Sequence, residues 1–163
     1  SESVNKSSFG NLVYYHPVND KNQFRISLLN RNSGNQVTPI GVLDNTSLSN
    51  NEVTGSYTYF GTDYRTSLSY EKITMDYGIP GSPEGHISGV DLSLNKSTQK
   101  FMFHKDISFM GFQTFDFDQR YINYGHIESE KGSRNPSVTM DQQVLSFQSM
   151  LKSIPGNKNK GVS

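Results

Sequence analysis

The sequence predicts an all-β domain: a single antiparallel β-barrel or sandwich with long polar loops. Three observations carry that expectation. Short runs alternate apolar and polar residues at intervals that suit strands. Gly, Pro, Asn and Asp separate the runs with turn chemistry. Ala, the best helix former, is absent from the chain, and the abundant Ser, Asn, Thr and Tyr favour turns, caps and strands. An AT-rich coding sequence would also deplete Ala, with the same consequence for helices.

The elements follow in order. Asn11 to Tyr15 reads as a first strand, closed by His16-Pro17 and Asn19-Asp20. Phe24-Arg25-Ile26-Ser27-Leu28 alternates cleanly, with Phe24, Ile26 and Leu28 on one face. Asn32-Ser33-Gly34-Asn35 suits a hairpin turn into a strand from Gln36 to Leu43, and Asp44 to Asn51 reads as a polar loop. Gly55 to Phe60 places Tyr57 and Tyr59 on one face and ends at Gly61-Thr62-Asp63. From Ser67 to Tyr77 the alternation occurs twice, and Tyr70 and Ile73 are expected to point inward.

Gly78 to Gly85 is the strongest loop, because its two Pro and three Gly cannot continue a ladder. Val90, Leu92 and Leu94 form a half-buried strand ending at Asn95-Lys96. Short strands are expected at Phe101 to Phe103, Ile107 to Phe112, Phe115 to Asp118 and Tyr121 to Ile127, the last broken at Gly125. Glu128 to Pro136 is a further polar loop. Val144, Phe147, Leu151 and Ile154 stand three or four apart behind Thr139 or Asp141, so a short C-terminal helix stopped by Pro155-Gly156 fits there as well as a strand. The whole reads as one domain over 1–155 with a flexible polar tail at 156–163.

Composition narrows the function classes. The chain has 163 residues, 12% of them aromatic, enough to fold around a modest core. Lys plus Arg and Asp plus Glu both number 15, so no basic excess exists to neutralise phosphates and no nucleic-acid partner is expected. There is no Cys, which removes thiolate zinc sites and thiol catalysis and suits a Ser/Asn/Thr-rich chain outside the reducing cytoplasm. No apolar run approaches the roughly 18 residues of a spanning helix, so no transmembrane segment is expected. Ser1-Glu2-Ser3 opens without Met or signal peptide and reads as a mature or trimmed start.

Candidate chemistry is sparse. The histidines, His16, His86, His104 and His126, share no metal-ligand spacing. His104, behind Phe101-Met102-Phe103, is the one haem-ligand candidate, because a haem pocket needs apolar company. Asp116 and Asp118 alternate with Phe115 and Phe117 and would lie roughly 7 Å apart on one face. A solvent-facing strand explains them better than a glycosidase pair, whose carboxylates normally come from different strands. Asp118 with Arg120 reads as a surface ion pair. Neither a nucleophile elbow nor a phosphate-cradling loop is present. No cofactor and no catalytic residue are assigned, and a glycan hydrolase or lyase is the enzyme alternative.

A resemblance sharpens the binding reading. Tyr57-Thr58-Tyr59-Phe60-Gly61-Thr62, Leu68, Met75-Asp76-Tyr77-Gly78 and the run from Val90 to Thr98 form a series that resembles the barrel lobes of transferrin-binding protein B-like Gram-negative surface lipoproteins, including haemoglobin-receptor lipoproteins. The family's glycine-rich closing strand is not evident, and its lipid-bearing Cys would lie outside this sequence. The resemblance implies a lipid-anchored, extracellular barrel that captures a host iron- or haem-carrying protein through its loops.

The expected function is therefore a bacterial cell-surface or secreted binding protein with a host protein partner, located outside the cell or on the outer-membrane surface. A structural or receptor-binding component of a phage, virus or adhesive fibre is the alternative. Tyr77, Ile79, Pro80 and His86 are the expected partner-binding residues of the Gly78 to Gly85 loop. Tyr64 and Arg65, of types favoured at interface hot spots, are expected in an adjoining turn.

Overall fold

The computed structural model describes residues 6–133 and 135–153; the tail at 156–163 lies outside them. All regular structure there is strand. β1 (Ser7–Asn19), β2 (Asn22–Ser33), β5 (Leu48–Phe60), β6 (Tyr64–Ile79), β7 (Val90–Phe109), β8 (Phe112–Glu130) and β9 (Val138–Ser153) form one antiparallel meander in the order β1-β2-β5-β6-β7-β8-β9. β3 (Gln36–Thr38) and β4 (Gly41–Leu43) form a separate two-stranded hairpin between β2 and β5. The all-β antiparallel expectation holds. Among the described residues the large sheet is a single layer whose outer strands, β1 and β9, each have one neighbour.

Several local expectations are corrected. The run that fits a C-terminal helix is strand β9, paired with β8 from Val138 to Ser153. Its apolar residues three and four apart therefore split between two faces. The expected short strands at 90–94 and 101–103 are parts of one strand of 20 residues and those at 115–127 parts of one of 19, while the strand expected from Ile107 to Phe112 is interrupted by the Met110-Gly111 turn. Ordinary strands run about 3–10 residues. The expected polar loop at 44–51 instead starts β5 at Leu48, and the strand expected at 36–43 folds on itself at Pro39-Ile40.

The two ends of the sheet differ. β1 joins β2 through Asp20-Lys21, β5 joins β6 through Gly61-Thr62-Asp63, and β7 joins β8 through Met110-Gly111, both at positive φ. All three tight turns lie at one end. The opposite end carries the longer connections: 34–47 with its hairpin, 80–89 and 131–137. Asn45 fastens that end. Its side chain is buried and donates through Nδ2 to the carbonyls of Ile79 (2.9 Å) and Val90 (3.0 Å), at a φ of 58° that Asn tolerates better than most residues.

Little of the molecule is buried. Leu92, at 5% exposure, is the one apolar side chain among the described residues that is fully covered. The expected modest core is therefore smaller still.

Candidate functional site

Because paired residues share a face, the register assigns every side chain. On one face the row Tyr14, Ile26, Gly55, Tyr70, Gln99, Tyr121, Leu145 crosses the sheet, and the next row toward the tight turns is His16, Phe24, Tyr57, Leu68, Phe101, Gln119, Phe147. We call this the open face. On the other, the covered face, Tyr15, Arg25, Ser56, Ser69, Lys100, Arg120 and Ser146 form the row between those two.

The burial is inverted relative to a protein folded in water. In β2, Phe24, Ile26 and Leu28 are exposed at 46%, 48% and 40%, while the intervening Arg25 and Ser27 are half-buried. In β6, Leu68 and Tyr70 are exposed while Ser67 is buried and Ser69 half-buried. Val53, Phe101, Leu145, Phe147 and Leu151 extend the exposed apolar band across the sheet, with Gln99, Gln119 and Ser149 as polar interruptions. At β1 the band centres on Tyr14, which is level with Leu145, whereas on β9 it continues to Leu151. The band thus slants across the register, as strand tilt in a curved sheet requires.

Aromatic rings follow the margin of the band near the tight turns. Phe24 lies 5.0 Å from Tyr57, Tyr59 5.7 Å from Tyr64, Tyr64 6.1 Å from Phe103 and Phe103 6.3 Å from Phe115, between ring centroids. Gly55 leaves a shallow apolar notch in the band, since a side chain there would meet nothing.

Opposite the band, the covered face carries charge. Asp116 accepts from Lys152 Nζ (2.7 Å) and from His104 Nδ1 (2.6 Å), and His104 Nε2 lies 3.4 Å from Asp106. The Lys152 ammonium and then the His104 ring hold the Asp116 carboxyl below its ordinary pKa. Asp118 pairs with Lys100 at 2.8 Å and Arg120 at 3.7 Å. Arg25 donates to the Tyr15 hydroxyl at 3.2 Å and lies over that ring. The Asp116 and Asp118 carboxylates are thus half-buried on the covered face beside cations, of which Lys152 and Arg120 remain exposed, so the expected solvent-facing Asp116-Phe117-Asp118 strand is only partly open to solvent.

Beyond the band, toward the long connections, the faces exchange character. The open face becomes polar, with Asn30, Asn51, Thr74, Asn95 and Asp141 in one register row. The covered face becomes apolar: Leu48, Tyr77 and Leu92 pair in a row, and Met75, Leu94 and His126 in the next. Tyr70 and Ile73, both expected inward, therefore lie on opposite faces. Tyr70 belongs to the open band and Ile73 to the covered cluster.

The six expected partner-binding residues are divided. Tyr64 and Arg65 sit at the tight-turn end, Tyr64 among the rings of the band and Arg65 opposite His104 on the covered face. Tyr77 and Ile79 sit at the other end of β6 and Pro80 just beyond it, so the two groups do not adjoin. Ile79 is 47% exposed, and His86 in the adjoining loop lies 3.1 Å from Glu130, with both side chains exposed.

The haem reading of His104 loses its premise. Phe101 and Phe103 point to the open face and His104 to the charged covered face, with both ring nitrogens facing carboxylates. No cluster that could hold a metal occurs among the described residues.

The residues missed at the sequence level are the band itself and its charged counterface. The available signal was the change of alternation phase inside single strands: Leu92 and Leu94 at even positions of β7, then Phe101 and Phe103 at odd ones. No protein-family model matches this chain, and no curated protein matches it in sequence.

Proposed function

We propose that this chain forms part of the wall of a membrane-spanning antiparallel β-barrel, with the open band against lipid acyl chains and the charged covered face lining the interior. The observation that carries the reading is the inverted burial in the tight-turn half. Exposing Phe24, Ile26, Leu28 and Leu68 to water is unfavourable by roughly 25 cal/mol per Å² of apolar area, and in hydrocarbon that penalty disappears.

Three further features agree. Membrane barrels alternate apolar-out and polar-in, flank their apolar band with aromatic girdles, and join strands by short turns at one end and longer loops at the other. Strands of 16 to 20 residues exceed the roughly 9–11 needed to cross the hydrocarbon. The excess is the polar-faced half, which would stand outside the lipid. No helix among the described residues is long and apolar enough to cross a membrane; that finding, like the apolar run length in the sequence, bears on helices and says nothing of strands.

The long connections then form the display surface. Ile40 and Ile87 are exposed on them and Ile79 at the end of β6 beside them, and Asn45 fixes their base. A protein partner docks there, and the host iron- or haem-carrying protein implied by the resemblance is the class to test first. Membrane residence is tested by alkaline extraction of membranes from producing cells: the protein stays in the pellet, and recovery in the supernatant overturns the reading. For the loops, Ile79→Asp weakens partner capture while leaving the melting temperature nearly unchanged, because Ile79 is already half in solvent.

A further inference from the structure

The apolar band ends unevenly on the side of the long connections. In the open-face row one step beyond Tyr14, Leu12, Leu28 and Val53 continue the band on β1, β2 and β5. On β6 to β9 the same row reads Lys72, Ser97, Asn123 and Gln143. The margin of the band therefore crosses this row between β5 and β6. In the row just below, Tyr14, Tyr70 and Tyr121 stand level with one another. Tyr gathers where hydrocarbon meets headgroups, because its ring is apolar and its hydroxyl is not.

Two hollows meet at this margin. The polar one, of about 300 Å³, is lined by Lys72, Asn95, Ser97, Asn123, Gly125 and Asp141. Gly125 keeps it open, since a Cβ there would stand 3.2 Å from Asp141 Oδ1. The apolar one, of about 620 Å³, is the notch beside Gly55, with Phe24, Ile26 and Leu68 around it. Tyr70 lines both, so the hollows adjoin. The polar hollow carries opposite charges at its two ends, Lys72 on β6 and Asp141 on β9. Three strand spacings, roughly 14 Å, separate their backbones. Neither enters an ion pair among the described residues, whereas Lys105, the other open-face cation within the strands, lies 3.4 Å from Asp63.

We infer that the polar hollow holds the headgroup of an ethanolamine phospholipid, with one acyl chain running down the notch beside Gly55. The phosphate accepts from Lys72, Ser97 and the Asn123 amide, and the ammonium donates to Asp141 and the Asn95 amide oxygen. Charge complementarity selects this headgroup. A zwitterion answers both ends of the hollow, whereas an anionic glycerol headgroup leaves Asp141 beside negative charge. A choline headgroup has no N–H to donate, and a free phosphate leaves the notch empty. The inference rests on the membrane-wall reading, which puts lipid against this face.

The test uses the protein purified in detergent from producing cells. Native mass spectrometry is run with equimolar phosphatidylethanolamine, phosphatidylglycerol and phosphatidylcholine. The ethanolamine lipid is expected to be retained about threefold over either competitor, the scale of one exposed charge contact. Lys72→Ala lowers retention of all three, and Asp141→Asn abolishes the preference over the glycerol lipid. Both side chains are exposed, so both variants keep the parent's melting temperature. Gly55→Leu fills the notch and lowers retention without changing the preference. Asp76→Asn, on the same face but outside the hollow, changes neither. Equal retention of the three lipids, a preference for the glycerol lipid, or a preference that survives both Lys72→Ala and Asp141→Asn overturns the inference. If alkali extracts the protein from membranes yet the preference and its loss in the variants are seen, the lipid hollow stands and the membrane wall falls. If the protein resists alkali and shows no preference, this inference alone falls.

Discussion

The two halves of the sheet obey opposite rules although the same strands run through both. In the half near the long connections, Leu48, Tyr77 and Leu92 are drawn to the covered face and Asn, Thr and Asp side chains face out, as in a sheet folded in water. In the half near the tight turns, Phe24, Ile26 and Leu68 face out, and Lys100, Asp116 and Asp118 are half-buried on the other face. No bulge separates the halves of β6, whose pairing is continuous on both sides. The exchange is therefore written in side-chain chemistry alone. It teaches that the surroundings of a strand, and not its backbone, decide which face is apolar.

Breaking the apolar-out half should have the largest effect. Leu68→Arg places a charge in the middle of the band and is expected to cost about 2–4 kcal/mol in a lipid environment. Asn51→Arg, on the same face in the polar half, should cost little. Denaturant unfolding in lipid vesicles reads both, and equal effects would erase the distinction between the halves.

The apolar-in half should respond to the opposite kind of change. Leu92→Ala removes its one fully covered apolar side chain and is expected to cost about 2 kcal/mol, at the low end for core truncations because the cluster is shallow. Leu68→Ala should leave thermal melting in detergent much closer to the parent. A reversed ranking would mean that the faces have been assigned the wrong way round.

Asn45→Ala sharpens the comparison at the long-loop end. It removes two hydrogen bonds to half-enclosed carbonyls and puts Ala in the left-handed region, so a loss of about 1–2 kcal/mol is expected. Local opening by hydrogen exchange should be confined to 34–47 and 80–90. Opening that spreads to the tight-turn half would show that the halves do not behave separately.

The smallest effect is the pH dependence of the charged face. Asp116 has a lowered pKa in the folded protein, chiefly through Lys152 and then His104. Its stabilisation is therefore present above the unfolded value, about 3.9, and is lost as pH falls through the lower folded value. Asp116→Asn should flatten the stability profile in that acidic window, by no more than about 1 kcal/mol for a pair this close to solvent. An unchanged profile would mean that the pairing contributes nothing.

Much of the fold was legible. The alternation of Phe24, Ile26 and Leu28 and the turn residues around Gly61 read correctly, and the loop expected from Gly78 to Gly85 exists but starts at Pro80, because Gly78 and Ile79 still pair in β6; period-two patterning and turn chemistry are local. The long strands did not read correctly. In β7 the pattern passes from Leu92 and Leu94 to Phe101 and Phe103, and in β8 from Phe115 and Phe117 to Ile122 and Tyr124. Each phase change looks like a strand end when one side of a strand is assumed to face water throughout. Tyr70 and Ile73 fell on the wrong side of that assumption, and the run near Val144 and Phe147 resembled a helix for the same reason.

The sequence by itself determined the all-β class, because alternation and turn residues act within a few positions and nothing in the composition favours helix, but it left strand and helix equally open over the run behind Thr139. Only the tertiary structure decided which face each residue takes. Face is fixed by register with neighbouring strands, and register alone brings Lys152 of β9 to Asp116 of β8, His104 of β7 to that same carboxylate, and the rings of β2, β5, β6, β7 and β8 into one band.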